Sequence, residues 1–155
     1  MASVIGIAEP TAIVGVGQRF AGDDGVGREV IQRLLADGIP AKGVDDGAGL
    51  LNVLLAGASR VLVIDAVVGG GIPGTLHVLG RADLEEGPRP VSSHGITVLD
   101  AIKLAALAHP GLEVTLLGIA IDPPSSLGEG LSPMVSASVA EATKRVTQLI
   151  APQKS

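Results

Sequence analysis

Phe20 is the only aromatic residue in the chain, so no core here can be filled with large rings. Hydrophobic residues still make up 46% of the 155 positions, and a core of that richness must be assembled from Val, Ile, Leu and Ala. Such a palette suits a parallel sheet covered on both faces by helices, whose strands read as unbroken apolar runs rather than alternating ones. Ala12-Ile13-Val14-Gly15-Val16 is such a run, and Val61 to Ala66 is another, broken only by Asp65. The length fits one domain that can bury a core without disulfides or structural metal. Residues 1–155 are therefore read as one domain, with about 1–10 and 151–155 as flexible ends.

Periodicity supplies the other elements. Val26, Val30, Ile31, Leu34 and Leu35 recur at helical spacing up to Asp37-Gly38-Ile39-Pro40, where Gly and Pro stop the pattern. A short strand over Lys42 to Val44 runs into Asp45-Asp46-Gly47-Ala48-Gly49 and a compact helix carrying Leu50, Leu51, Val53, Leu54 and Leu55. Leu76 to Leu79 reads as a strand after the turn Ile72-Pro73-Gly74, and the charged stretch Arg81 to Pro90 as a surface loop. Ile96, Leu99, Ile102 and Ala106 mark a third helix, and Val114 to Ile121 a fifth strand. Val135, Val139, Ala142, Val146 and Leu149 mark a last helix with Ser132 as N-cap and Pro133 at its first position. Alternating strands and helices imply right-handed parallel crossovers. The expected fold is an α/β three-layer sandwich: a mostly parallel, five-stranded twisted sheet with helices on both faces. The neighbouring strands at Val61 and Leu76 are its antiparallel exception.

Charge and composition exclude several functions. A formal net charge of -5, with no Lys/Arg cluster and no aromatic platform, argues against a nucleic-acid partner. Zero Cys removes thiol nucleophiles, disulfides and Cys-ligated zinc. Residues 1–8 lack the basic region of a secretory signal, and no apolar run reaches membrane-spanning length, so a cytoplasmic protein without membrane insertion is expected.

The carboxyl ends of strands in an open α/β sheet form the crevice where ligands bind, and three segments there carry chemistry. In the first, Gly15-Val16-Gly17 to Gly22-Asp23-Asp24-Gly25-Val26-Gly27 superficially suggests a nucleotide loop, but Phe20 replaces a required Gly and two carboxylates would repel phosphate. Asp23 is expected to cap the following helix, and Asp24 to attract a cation or act as a base. In the second, Asp65 interrupts an apolar strand. It either caps backbone N–H groups or serves a metal or proton transfer, since burying it unpaired is costly. In the third, His94 follows Ser92-Ser93 at the edge of the third helix, whose dipole favours a neutral, ligating ring; a structural role is the other reading. His77, in a strand, and His109, a helix-stop residue, are not candidates. Asp45 and Asp46 before Gly47 read as capping acids, or as a place where a substrate backbone approaches.

These segments in this order resemble the hydrogenase maturation proteases, which remove a C-terminal extension from the large subunit of nickel-iron hydrogenases. The resemblance spans Ile13 to about Ile150 and rests on four segments: Gly22-Asp23-Asp24-Gly25-Val26-Gly27, the Val63-Ile64-Asp65-Ala66 strand, Pro73-Gly74-Thr75 and Ser93-His94. It implies that Asp24, Asp65 and His94 form the metal site, and the same three are the candidate catalytic residues; Gly15, Gly17, Asp23, Asp45 and Gly47 are read as the loop residues that support them. It also implies an aspartyl-type, metal-dependent endopeptidase whose nickel is supplied by its partner, the large-subunit precursor, with no organic cofactor. Gln18 stands where the family usually has Asn, the acid-Gly-Gly-Thr segment is shortened at Asp45 to Gly49, and Asp122-Pro123 differs from the usual Gln-Pro. Without Cys or a serine nucleophile elbow, water is the expected nucleophile. Two rival readings are a non-catalytic nickel-checking chaperone and a small-ligand or nucleotide-binding module.

Overall fold

The computed structural model describes residues 11–18, 22–90, 95–123 and 130–151. The ends read as flexible lie outside these residues apart from Ala151, as does Phe20. The order of elements is β1 Thr11–Val16, α1 Val26–Ala36, β2 Lys42–Val44, α2 Gly47–Leu54, β3 Arg60–Val68, β4 Leu76–Gly80, β5 Arg89–Pro90, α3 Val98–Ala108, β6 Glu113–Ala120 and α4 Pro133–Ile150. Short 3-10 turns occupy Gly22–Gly25 and Arg81–Asp83.

The sheet runs β2-β1-β3-β6-β4, with β5 pairing β3 off this path. Strands β1, β2, β3 and β6 are parallel. Because successive side chains point to opposite faces, β3 feeds two cores. Val61, Val63 and Val67 join Val14, Val16, Leu50, Leu54, Ala101, Ile102 and Ala105 under α2 and α3. Leu62, Ile64 and Ala66 join Val26, Val30, Ile31, Leu34, Val135, Ala142 and Val146 under α1 and α4. Each fully buried Val or Leu contributes roughly 1.5–3 kcal/mol relative to exposure, so aliphatic burial is the main force that holds the three layers together. None of the helices among the described residues is long and apolar enough to cross a membrane.

Two expectations are corrected. Among the described residues the sheet has six strands rather than five. The extra one lies in the supposed surface loop, where Arg89–Pro90 pairs antiparallel with Val67 and Val68 and Leu84 is buried. A two-residue strand has no periodicity to read, and its Pro and charges resemble a loop. The antiparallel exception is real, but β4 pairs with β6 rather than with its sequence neighbour β3. Strand β6 enters between them because the crossover through α3 returns parallel to β3, which favours the central position.

Candidate active site

The chain leaves β1 through Gly17, whose φ of 142° places it where L-residues rarely go. A β-carbon there would meet the Asp24 carbonyl oxygen. The Gly17 N–H donates to the Val44 carbonyl at 3.1 Å, so this amide is engaged with β2 and not available to cradle a phosphate. Gly27 brings α1 down onto the strands: a β-carbon would lie 2.6 Å from the Ile64 carbonyl oxygen and 2.7 Å from that of Val16. Only a bare backbone allows this approach, and it draws the Gly22–Gly25 turn, with Asp24, over the ends of β1 and β3. Gly15 belongs to β1 itself rather than to the turn, and packs against Ile31 and the Gly27 carbonyl.

Asp65 lies where the flank of β3 changes partner. The β1 register ends at Gly15 opposite Ile64. Further along the same strand, β5 takes up Val67 and Val68. On the other side β6 stays paired, with Gly118 opposite Asp65. Alternation places the Asp65 side chain on the α2/α3 face with Val63 and Val67. It is only 3% exposed, and one carboxylate oxygen accepts the Ala66 N–H at 2.8 Å. Burial pushes its carboxyl well above the ordinary value of 3.8, the charge of Asp24 pushes in the same direction, and the Ala66 bond opposes both. Burial also raises half-buried Asp24. Since β1 connects to β2 on one side while β3 lies on the other, the pair occupies the point where strand order reverses, as expected for a ligand crevice. A buried carboxyl within reach of a second carboxylate's charge holds its proton tightly, and such a pair suits acid-base chemistry or the approach of a cation.

The other expected residues separate. Asp23 does not cap α1, whose N-cap is Gly25 without a side-chain bond. Its carboxylate instead accepts the Ser132 N–H at 2.7 Å and the Ser132 hydroxyl at 2.8 Å, stapling the turn to the start of α4. Asp46 caps α2 by accepting the Gly49 N–H at 2.9 Å, whereas Asp45 pairs with Arg28 at 2.9 Å. Gly47 packs so closely that a β-carbon would meet the Ile96 carbonyl oxygen. His77 reaches the Gly70 carbonyl from β4, and His109 is the C-cap of α3.

His94 lies outside the described residues, but α3 opens only at Val98 behind Thr97. The helix-dipole argument for a neutral ring therefore loses its premise. Among the described residues no group of three or more His, Cys, Asp or Glu could hold a metal ion. A cleft of about 260 Å³ adjoins the Asp24 turn, lined by Gly22, Gly25, Arg28, Glu29, Gly130 and Leu131, among others. Arg28 escaped the sequence reading. Its signal was a cation in the first turn of a helix, where the dipole is unfavourable.

Comparison with solved structures returns the same fold. The NiFe hydrogenase maturation protease HybD from Thermococcus kodakarensis is 24% identical, with a TM-score of 0.74 over 90% of this chain and 98% of that one. The hydrogenase maturating endopeptidase HybD from E. coli is 24% identical, with a TM-score of 0.66 over 88% of each chain. A hydrogenase 2 maturation peptidase from Thaumarchaeota archaeon SCGC_AB-539-E09 is 27% identical, with a TM-score of 0.59 over 90% of this chain and 96% of that one. No curated protein sequence gives a significant match. The sequence model of the hydrogenase maturation proteases matches residues 43–149, well over half of the chain. With the fold and the match in agreement, the chain belongs to the hydrogenase maturation protease family.

Proposed function

We propose that this protein is a nickel-recognising endopeptidase that removes the C-terminal extension of a nickel-loaded hydrogenase large-subunit precursor in the cytoplasm. The observation that carries this reading is that the buried Asp65 carboxyl lies within reach of the charge of Asp24. Like charges in low dielectric are costly unless a proton or a cation lies between them. Two oxygen donors fit a divalent ion, and His94 is the third ligand of the proposal. In its support, β5 runs antiparallel along β3 toward Asp65, and the sequence that follows it carries His94. Nickel belongs to the substrate, where it would polarise the scissile carbonyl or acidify water.

The chain's own part is acid-base. One carboxylate accepts a proton from the attacking water as the carbon-oxygen bond forms. The proton passes to the departing amine nitrogen as the carbon-nitrogen bond breaks. Asp24 and Asp65 are the carboxylates proposed for that transfer, Asp65 being fixed in place by the Ala66 N–H.

The test is mass spectrometry of the precursor, loaded with nickel or free of it, after incubation with the protein. Loss of the extension from loaded precursor alone is expected. Binding with unchanged mass would replace the peptidase with a nickel-checking chaperone, and cleavage indifferent to nickel would remove metal recognition from the proposal.

A further inference from the structure

Arg28 stands in the first turn of α1, and its side chain is 21% exposed. Its Nη1 donates to Asp45 Oδ1 at 2.9 Å and lies 3.5 Å from the Gly17 carbonyl oxygen. The remainder of the arm crosses β2 at Gly43, where a β-carbon would meet Nε and lie 2.8 Å from Cδ and 2.9 Å from Cζ. One side chain thus touches the loop after β1, strand β2 and the β2–α2 junction. Gly17 is also the residue against which the Asp24 carbonyl rests, so a shift of Gly17 is transmitted to the turn that carries Asp24.

Stability alone does not account for this placement. The Asp45 side chain is 71% exposed, and ion pairs open to solvent contribute about 0–1 kcal/mol, against the unfavourable dipole at the start of α1. Both contacts are made by the one nitrogen Nη1, whose two N–H groups lie fixed in the guanidinium plane, whereas those of an ammonium rotate.

We propose that Arg28 is a positioning residue of the peptidase: held between Asp45 and the Gly17 carbonyl across Gly43, it sets the turn that presents Asp24 to Asp65. The inference rests on the endopeptidase reading above and deepens it.

Three variants of the full chain test it. Arg28→Ala removes the guanidinium. Gly43→Ala displaces it by steric contact with the end of a flexible side chain and leaves its charge in place. Arg28→Lys keeps the charge without the planar group. Two readouts are taken, the backbone amide resonances by two-dimensional NMR and the kcat and KM of precursor cleavage. In Arg28→Ala and Gly43→Ala the Gly17 and Asp24 amides should move while those of α3 and the thermal midpoint hold. Misplacement on the scale of an ångström predicts a fall in kcat of about 10- to 100-fold with KM within about twofold, partly recovered in Arg28→Lys.

Unmoved Gly17 and Asp24 amides in Arg28→Ala would overturn the proposal whatever the activity, and moved amides with unchanged kcat would overturn it too. If the wild-type protein leaves the precursor intact, the peptidase reading fails by itself, and the amide shifts still decide whether Arg28 sets the turn.

Discussion

The two ends of the parallel strands handle charge and glycine in opposite ways. At the amino ends, Arg60 and Glu113 pair at 3.6 Å with side chains 35% and 73% exposed, and the turn glycine Gly38, with φ of 82°, has open space around it. At the carboxyl ends, Asp65 is buried within reach of another carboxylate's charge, with no cation among its partners in the described residues. There Gly17 and Gly27 have backbone oxygens where a β-carbon would stand. A carboxylate exposed to water is nearly free of energetic consequence, whereas a buried one stores proton affinity. That contrast assigns chemistry to one end and ordinary chain reversal to the other.

The comparison breaks most easily at the acids. Asp65→Asn and Asp24→Asn should each lower precursor cleavage by about 100-fold or more, the scale of general acid-base catalysis, with the fold retained because Asn matches the size of Asp. Glu113→Gln at the amino end is the control, and near-normal cleavage by both site variants would erase the distinction. Gly27→Ala should cost about 3 kcal/mol, since its β-carbon meets backbone that cannot yield. Gly38→Ala should cost about 1 kcal/mol, from left-handed strain alone. Equal shifts in denaturant midpoint would show that α1 can withdraw from the strands.

A pH series sharpens the same point. Native Asp65 holds its proton above the ordinary value of 3.8, so between that value and the raised one the native state binds more protons than the unfolded chain. Its contribution to stability is therefore present below 3.8 and lost as pH rises through the raised native value. Each unit of elevation is worth about 1.4 kcal/mol. Asp65→Asn should lack that decline, so its urea stability should gain on wild type as pH rises across the window. Parallel curves would count against burial as the cause.

Smaller effects remain. Ser132→Ala removes the hydroxyl bond to Asp23 and leaves the backbone one; a loss of about 1 kcal/mol is expected, read from thermal unfolding. Glu113→Gln should change stability by about 0.5 kcal/mol or less. A larger loss from Glu113→Gln than from Ser132→Ala would invert the comparison.

Much of this was legible along the chain. The helices over α1, α2 and α4 follow from apolar residues recurring once per turn, and β1, β3 and β6 follow from unbroken aliphatic runs, both local patterns. Asp65 was visible because a carboxylate inside such a run has no inexpensive place to go. Asp24 was visible by its position after a glycine turn. The role of Asp23 was not, because its partner Ser132 lies 109 positions away and nothing near Asp23 distinguishes a local cap from a distant staple. Nor was β5, whose two residues pair with β3 only because the chain happens to pass that flank.

The sequence by itself determined the layer architecture and which carboxylate would be costly to bury, because periodicity and the cost of burying charge act over a few neighbouring residues. Only the tertiary structure decided that the charge of Asp24 comes within reach of buried Asp65, that Asp45 belongs to Arg28, and that Gly27 sits on the backbone of two strands. Those depend on strand order and on where β1 stops pairing with β3. Both are settled by how separate elements pack, and a run of adjacent residues does not encode that packing.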